Sequence, residues 1–308
     1  MTTVLYTHPA CLEHDPGPGH PERPERLRAV LAALDDKAFA GLERREVPRA
    51  SKAQLLYAHP ESYVDQVFAA VPESGQAHLD ADTLVSPGSG EAALRAVGAV
   101  CAAVDAVMSG AATNAFCAVR PCGHHAEATR AMGFCLFNNV ALGAFHARAA
   151  HGVQRIATVD FDVHHGNGTQ HMFEADAALF YASTHQSPLY PGTGAADERG
   201  VGNILNLPMR PDSGSNEFRA AVTGSLVPAL HEFKPDLLLI SAGFDAHARD
   251  PLAQINLVED DYVWVTEELM KLADEHCAGR VVSVLEGGYD LDALAASTAA
   301  HVRTLMAA

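Results

Sequence analysis

The sequence predicts an α/β protein with a central, mostly parallel sheet and helices on both faces. Short, β-branched apolar runs alternate with longer Ala- and Leu-rich stretches along the chain. This alternation is typical of doubly wound α/β proteins. The apolar runs are also too continuous for strands with one face in water, so we expect them to be buried on both faces, as in a parallel sheet.

Seven runs are predicted to be strands because each is short, apolar and bounded by turn residues. In chain order they are Val4–Tyr6, Ala115–Val119, Arg155–Val159, Ala178–Ala182, Asn203–Leu207, Asp236–Ser241 and Arg280–Leu285. The longest irregular segment is His185–Gly202, which contains four Gly and two Pro. A loop of that length inside a compact domain is usually functional.

Helices are predicted between these strands. The clearest are Glu91–Met108, Glu259–His276 and Leu291–Met306. The first of them carries apolar residues at helical spacing. Ser51 and Gln54 fit a capping box at the start of another, shorter helix. The sequence shows no internal repeat and no low-complexity linker, so we expect residues 1–308 to form one domain.

The amino-acid composition excludes several classes of protein. The chain has 308 residues, of which 48% are hydrophobic and 19% charged, enough apolar material for a large core and unlike a disordered chain. Its formal net charge is −17, and only four residues are Lys, so nucleic-acid binding is disfavoured. No apolar stretch is long enough to predict a membrane-spanning helix.

The first residues have neither the basic nor the apolar region of a secretory signal. The six Cys show no CxxC spacing, which is ordinary for a protein of a reducing compartment and argues against a disulfide framework. We therefore expect a cytoplasmic protein with neither a membrane nor a nucleic acid as its partner.

Polar residues with metal-binding or acid/base chemistry follow four of the predicted strands. They lie in the segments Arg120–His125, Asp160–Gly168, Ala242–His247 and Glu286–Asp290. In open α/β sheets, ligands bind beyond the carboxyl ends of the strands. The sequence therefore predicts one site at this edge of the sheet.

The first predicted group in that site is a metal centre. Alternate residues of an extended chain point the same way, so Asp162 and His164 can chelate one cation together, and Asp245 adds a second carboxylate. Three protein ligands leave a coordination position open, which is typical of catalytic zinc, and Fe²⁺ suits the same ligands. The alternative is that the carboxylates cap helices or hydrogen-bond to turns.

The second group is an adjacent pair, His124 and His125. Asp160 and Asn167 can each accept the Nδ1 proton of one of these His and leave its Nε2 facing the site. A carboxylate raises the basicity of an imidazole more than an amide does, so the two His would titrate differently. Tyr289, after a Gly-Gly turn, could donate to a developing oxyanion. The alternatives are a polar turn for the pair and simple packing for the Tyr.

Together these motifs resemble the zinc-dependent histone deacetylase family, which includes acetylpolyamine amidohydrolases and acetoin-utilisation proteins. The resemblance rests on RPCGHHA, VDFDVHHGNGTQ, SAGFDAHARDPL and LEGGYD, and HPERPERL and GFDAH are most similar to its class II branch. The motifs run from residue 20 to residue 290. The resemblance implies the arginase/deacetylase fold, a parallel sheet of about eight strands, and a single deacetylase catalytic domain over residues 1–308.

The resemblance also implies roles for individual residues. The zinc ligands would be Asp162, His164 and Asp245. The catalytic residues would be His124 and His125, oriented by Asp160 and Asn167, and the transition-state tyrosine Tyr289. The walls of the acyl tunnel would be Phe134 and Tyr190, with Gly133 as the tunnel glycine. A structural K⁺ would be held by main-chain oxygens of Asp160, Asp162, His164 and Thr184 and by side-chain oxygens of Asp162 and Ser183.

Three positions depart from the family pattern. Asn167 stands where class I members have Asp, a variation known in class II-like members. The acidic residue that grips the substrate backbone in eukaryotic enzymes has no clear counterpart near Leu84–Ser89, although Asp80 and Asp82 are close. Leu252 occupies the substrate-site position where the polyamine-selective branch tends to carry Glu, which weakens a polyamine interpretation.

The function expected from the sequence is zinc-dependent hydrolysis of an amide. The substrate would be an N-acyl-lysine-like amine carrying an acetyl or other short acyl group. Alternatives are a deacetylase of acetylated polyamines or other small amides, and a catalytically dead binding protein. A binuclear manganese ureohydrolase of the arginase type is a further alternative, disfavoured because Asn167 offers an amide where a metal-bridging carboxylate would stand.

Overall fold

The computed structural model describes residues 2–307, and its centre is a sheet of eight parallel strands. In chain order the strands are β1 (Thr3–Thr7), β2 (Glu43–Glu46), β3 (Ala77–His78), β4 (Leu84–Val85), β5 (Asn114–Cys117), β6 (Ile156–Asp160), β7 (Leu179–Gln186), β8 (Ile204–Met209), β9 (Leu237–Ala242) and β10 (Val281–Leu285). The large sheet has the order β2-β1-β5-β10-β9-β6-β7-β8, while β3 and β4 form a separate antiparallel pair.

Ten α-helices are present in residues 2–307. They are α1 (Pro24–Leu34), α2 (Lys52–Leu55), α3 (Glu61–Ala69), α4 (Ser89–Met108), α5 (Asn139–His151), α6 (Asn167–Phe173), α7 (Ser215–Ala221), α8 (Val227–Phe233), α9 (Glu259–Cys277) and α10 (Leu291–Ala307). Short 3₁₀ helices cover Pro9–Leu12 and Lys37–Phe39, and a π-helical turn, Val222–Leu226, joins α7 to α8. Over residues 2–307, no helix combines the length and apolar character needed to cross a bilayer.

Helices cover both faces of the sheet. On one face α4 packs against α5 and contacts β1, β5 and β10. On the other face α10 lies between α1 and α9, and it also contacts β5. The inner strands β5, β6, β9 and β10 are buried along their whole length. The fold class predicted from the alternation of strands and helices is therefore confirmed.

The predicted strands are all present, with shifted ends. β6 begins and ends one residue later than predicted, so Asp160 is the last residue of the strand. β7 continues to Gln186, four residues past the predicted end, so Ser183 and Thr184 lie inside it. The predicted irregular segment consequently begins after Gln186 instead of at His185. Pairing with β8 explains the extension, since the ladder with β6 ends at Ser183 whereas the ladder with β8 continues to Gln186.

Three strands were not predicted from the sequence. β2 has the sequence Glu-Arg-Arg-Glu and is mostly exposed, because it is an edge strand that pairs only with β1. Edge strands are commonly charged, which removes the apolar signal used for prediction. β3 and β4 have two residues each, too few to show a period.

The sheet order brings the four polar segments together. β5, β10, β9 and β6 are neighbours in that order, and all are parallel. Their carboxyl ends therefore lie side by side, and the loops that follow them form one continuous edge. The predicted capping box is also confirmed, since the Ser51 hydroxyl accepts a hydrogen bond from the Gln54 amide and the Gln54 side chain accepts one from the Ser51 amide.

Candidate active site

Two carboxylates and an imidazole converge at the ends of β6 and β9. The Nδ1 atom of His164 lies 3.1 Å from an Asp162 oxygen and 3.1 Å from an Asp245 oxygen. The three residues are buried, and one ligand atom from each lies within 4.8 Å of the others. This set has the chemistry of a divalent transition-metal site with room for further ligands.

The backbone fixes the two carboxylates. The Val163 amide donates to Asp245 Oδ1 at 2.8 Å, and the Gly287 amide donates to Asp162 Oδ2 at 2.8 Å. A Cβ on residue 287 would overlap both carboxylates, so Gly is required for this close approach. One oxygen of Asp245 and one of Asp162 therefore remain directed toward His164.

The electrostatics of this group favour a cation. Burial alone would lower the pKa of His164, but Asp162 and Asp245 outweigh burial and raise it to about 10. Buried carboxylates that hold a proton on an imidazole so strongly form a strongly negative pocket. The donor set therefore fits a bound metal ion, which would replace that proton.

His124 is paired with a carboxylate. Its Nδ1 donates to Asp160 Oδ2 at 3.0 Å, and the same oxygen accepts a hydrogen bond from the Tyr181 hydroxyl at 3.0 Å. Burial lowers the pKa of His124, but the charges of Asp160 and Asp162 outweigh it and hold that pKa well above its usual value. This imidazole is therefore held in its cationic form by its surroundings.

His125 is paired with an amide and behaves oppositely. Its Nδ1 donates to Asn167 Oδ1 at 2.9 Å. Burial, reinforced by the neighbouring His124 and His164 rings, holds the pKa of His125 well below its usual value. The structure therefore gives each His one of the two partners inferred from the sequence, and it gives the two rings opposite preferences for charge.

Tyr289 is held by a residue that the sequence analysis did not single out. The Arg26 guanidinium lies 4.9 Å from the centre of the Tyr289 ring and donates to the carbonyl oxygens of Gly288, at 2.5 Å, and Glu286, at 2.6 Å. Burial raises the pKa of the Tyr289 phenol well above its usual range, so the hydroxyl stays protonated and can donate. Arg26 belongs to the HPERPERL segment, which carried no assigned role.

A cavity of about 210 Å³ leads from the surface to these groups. It is lined by Asp82, His125, Gly133, Phe134, His164, Leu189, Tyr190, Leu252 and Tyr289. The Tyr190 ring lies edge-on to His125, with 5.2 Å between ring centres, and Phe134 lies edge-on to Tyr289 at 6.1 Å. All four substrate-binding residues predicted from the sequence thus line one cavity.

Gly133 is required where it stands. Its φ angle is +56°, in the left-handed region, and a Cβ there would collide with the His125 ring. The preceding loop can therefore pass directly beside the imidazole.

Two acidic residues near the cavity have different positions. Asp82 lines the cavity and accepts hydrogen bonds from the Gly133 amide at 3.0 Å and the Thr83 hydroxyl at 2.8 Å. Asp80 forms an ion pair with Arg130 at 2.8 Å and is absent from the lining. The sequence placed both residues near the site but could not distinguish them.

Glu286 is a further buried acid behind the site. Its carboxylate accepts hydrogen bonds from the amides of Gly123, at 2.7 Å, and His124, at 3.2 Å, and from the Ser241 hydroxyl at 3.1 Å. Burial raises its pKa to about 7. Its position directly before the Gly-Gly-Tyr turn was the available signal in the sequence.

The residues predicted to hold K⁺ are adjacent. Asp160 and Ser183 are register partners across β6 and β7, and Thr184 follows Ser183. The Ser183 hydroxyl is 2.9 Å from His185 Nδ1. Asp162 and His164 follow in the loop after β6, so all five residues lie on β6, on β7 or in the loop directly after β6.

Comparison with known proteins identifies the family. A family model for the histone deacetylase domain matches residues 20–305. This chain belongs to the histone deacetylase family. It is 41% identical to an uncharacterized protein of Synechocystis sp., covering 99% of this chain and 100% of that protein. It is 38% identical to the histone deacetylase-like amidohydrolase of Pseudomonas aeruginosa, covering 93% of this chain and 81% of that protein.

A solved member of the histone deacetylase family has the same architecture. The crystal structure of the HDA15 HD domain superposes with a TM-score of 0.95 and is 35% identical, covering 99% of this chain and 88% of that one. The arginase/deacetylase α/β fold expected from the motifs is therefore confirmed.

Proposed function

We propose that this member of the histone deacetylase family is a zinc-dependent amidohydrolase. It would remove an acetyl or other short acyl group from an N-acyl-lysine-like amine, and residues 1–308 would form its single catalytic domain. One observation carries the proposal: the cavity walled by Phe134 and Tyr190 is also lined by His164, His125 and Tyr289. A ligand-sized cavity lined by a candidate metal ligand, a neutral imidazole and a phenol suits hydrolysis of an acyl chain threaded into it.

Asp162, His164 and Asp245 would hold the metal. When bound, Zn²⁺ (or Fe²⁺, which accepts the same donors) would polarise the acyl carbonyl and make a water molecule acidic near neutral pH. A structural K⁺ would be held behind it by Asp160, Asp162, His164, Ser183 and Thr184.

His125 would move the proton. It is the member of the His pair that lines the cavity, and its Nδ1 proton is engaged by Asn167, so Nε2 is the atom free to accept a proton from the attacking water. Its depressed pKa keeps the ring neutral, which is the form that can accept a proton. The protonated ring would then give the same proton to the departing amine nitrogen.

His124 and Tyr289 would stabilise charge. His124 is outside the cavity lining and is held cationic by Asp160 and Asp162, so it would favour the negative charge that develops beside it. The Tyr289 hydroxyl would donate to the carbonyl oxygen as that oxygen becomes negative. The amide carbonyl would thus be polarised by groups already in place before the substrate binds.

Phe134 and Tyr190 would hold the methylene stem of the substrate. Their rings line the cavity above the polar groups, and they would exclude water from the stem and orient the amide. Leu252 adds an apolar surface to the same wall.

A second candidate function is hydrolysis of small acylated amines. The observation in its favour is Asp82, which places a carboxylate on the cavity wall and could attract a cationic amine. Leu252 opposes it for polyamines, since an apolar side chain offers no partner for a second ammonium group.

The test compares two substrates on the zinc-loaded protein: an acetyl-lysine peptide and a free acetylated polyamine, each with and without a hydroxamate chelator. We expect chelator-sensitive turnover of the peptide. Turnover of the polyamine alone would favour the second candidate. No turnover of these or of other acylated amines, with zinc bound, would contradict the proposal.

A further inference from the structure

A carboxylate lies two residues beyond the His pair, and its hydrogen bonds go to Asn167 and His171 instead of to either ring of the pair. Glu127 Oε1 accepts a hydrogen bond from Asn167 Nδ2 at 2.9 Å, and its second oxygen accepts one from His171 Nδ1 at 3.1 Å. Asn167 in turn accepts from His125 through Oδ1 at 2.9 Å. Glu127, Asn167 and His125 therefore form a chain of hydrogen bonds that ends at the cavity.

The direction of this chain is set by the carboxylate. An Asn side chain has an acceptor at one end and a donor at the other, and the two ends have nearly the same shape. An ionised carboxylate can only accept, so Glu127 requires the NH₂ end of Asn167 to face it. The carbonyl end then faces His125, and only an Nδ1–H can donate to it.

The other two contacts of Asn167 Nδ2 are longer than its hydrogen bond to Glu127. Its Nδ2 lies 3.3 Å from the His125 carbonyl oxygen and 3.4 Å from the Met132 sulfur. Glu127 supplies the shortest of the three contacts and the only one to a charged acceptor, and hydrogen bonds to ionised groups are roughly twice as strong as neutral ones. Because the Glu127 carboxylate is half-buried, water screens its charge less than it would screen the charge of a fully exposed acid.

We propose that Glu127 is a positioning residue that fixes the orientation of the Asn167 amide and thereby the tautomer of His125. Through this chain, the carboxylate keeps the proton of His125 on Nδ1 and leaves Nε2 as the proton acceptor in the cavity. The inference rests on the proposed function in one respect: it takes Nε2 of His125 to be the atom that receives the proton of water.

The backbone keeps the chain in register. Asn167 is the first residue of α6, and the amide of Thr169, two residues later, donates to the His124 carbonyl oxygen at 3.2 Å. On the other side, the amide of Glu127 donates to the Arg130 carbonyl oxygen at 2.9 Å. Glu127 therefore sits at a fixed turn opposite the start of a helix, as a positioning role requires.

The first test compares three variants of the zinc-loaded protein. In Glu127→Ala only the longer contacts of Nδ2 with the His125 carbonyl oxygen and the Met132 sulfur still favour this orientation of the Asn167 amide, so we expect kcat to fall by about 10- to 100-fold, with KM changed little. Glu127→Gln can accept from Nδ2 but can also donate to the carbonyl end, so it fixes the amide only in part, and its kcat should lie between those of wild type and Glu127→Ala. His171→Ala removes the other partner of the same carboxylate and should stay within about twofold.

A loss in His171→Ala as large as that in Glu127→Ala would overturn the proposal, because it would show that the local fold, and not the contact with Asn167, is what matters. A kcat for Glu127→Ala that stays within about twofold of wild type would also overturn it. Melting temperatures of all three variants should match wild type within a few degrees.

A second test uses the identity of residue 167. Asn167→Asp places a second carboxylate against Glu127, and two ionised acids cannot share this contact, so we expect a loss of about 10-fold. Adding Glu127→Gln supplies an NH₂ group that can donate to the new Asp, and the double variant should recover most of that loss. Strictly additive effects would contradict a direct link between the two side chains.

A spectroscopic test is independent of turnover. Nitrogen-15 correlation spectra of the His rings in the zinc-loaded protein should show the Nδ1–H tautomer for His125 in wild type and in His171→Ala, and a mixture in Glu127→Ala. An unchanged single tautomer in Glu127→Ala would reject the positioning role. If the wild-type protein turned over no acylated amine, the proposed function would fail, yet these spectra would still decide the role of Glu127.

Discussion

The floor and the rim of the cavity are built in different ways. The floor, defined as Asp162, His164 and Asp245, follows directly from the carboxyl ends of β6 and β9 and is buried. The rim, defined as Asp82, Phe134, Leu189, Tyr190 and Leu252, comes from four separate loops, and Tyr190 is 38% exposed. Backbone amides hold the floor carboxylates, whereas ring edges and loop contacts hold the rim.

This difference suggests a division of labour. Groups placed by a rigid sheet keep their geometry, which suits atoms that must act on one bond. Loops tolerate replacement without loss of the core, which suits the recognition of different substrates. We therefore expect substitutions in the floor to affect kcat and metal content, and substitutions in the rim to affect KM and selectivity.

The largest effect is expected from a floor ligand. Asp245→Asn keeps an oxygen for the Val163 amide but removes one of the negative charges that favour a cation. Zinc content, measured by elemental analysis after dialysis, should fall sharply, and kcat/KM should drop by at least about 10³-fold because the Lewis acid is lost. The stability of the metal-free protein should not fall, since the variant relieves repulsion between two buried carboxylates. Full zinc content with full activity would show that Asp245 is not a ligand.

The second largest effect on kcat is expected from Tyr289, which lines the same cavity as His164 of the floor and the rim residues. Tyr289→Phe keeps the ring against Arg26 and loses only the hydroxyl. We expect kcat to fall by about 10²–10³-fold, the usual cost of losing one oxyanion donor, while zinc content stays at the wild-type level. Wild-type kcat in this variant would assign the hydroxyl a packing role alone.

Much of the floor follows from the sequence, and less of the rim does. Asp162 and His164 occupy alternate positions just after a buried strand, and Asp245 follows a neighbouring one, so their grouping follows from sheet geometry; their roles remain predictions. The lining position of Asp82 depends on the β3–β4 pair, whose two-residue strands leave no pattern. Glu127 and Arg26 act through partners that are distant in sequence, Asn167 and Tyr289, and no spacing rule predicts those contacts.

A smaller effect is expected from the rim. Leu252→Glu places a carboxylate on the cavity wall, which would give a second ammonium group of a polyamine a charged partner. The ratio of kcat/KM for acetylated polyamine to that for acetyl-lysine peptide should rise by about 10-fold, the value of one charge-assisted hydrogen bond. Leu252→Gln, similar in size but neutral, is the control and should change the ratio little. An equal rise in both variants would attribute the change to shape.

The smallest effect concerns how firmly the rim is held as pH falls. His59 is buried, donates from Nδ1 to the Ala128 carbonyl oxygen at 3.0 Å, and accepts from the Asn138 amide at Nε2 at 3.0 Å. These bonds fasten both ends of the segment that carries Gly133 and Phe134. Burial lowers the pKa of His59 to about 4, since the ring has no charged partner there.

Proton binding by His59 determines how the free energy of opening this segment changes with pH. Above pH 6.5 the ring is neutral whether the segment is closed or open, so pH has no effect. Between pH 6.5 and about 4 only the open state binds the proton. Each unit by which the pH falls in this range therefore lowers the free energy of opening by about 1.4 kcal/mol. Hydrogen exchange of the amides in residues 128–138, corrected for intrinsic rates, should show this slope more clearly than the amides of β6. The side chain of His59→Gln binds no proton, so the pH dependence of the opening free energy in this range should be weaker by the contribution of one proton. An unchanged pH dependence would mean that another group controls the rim.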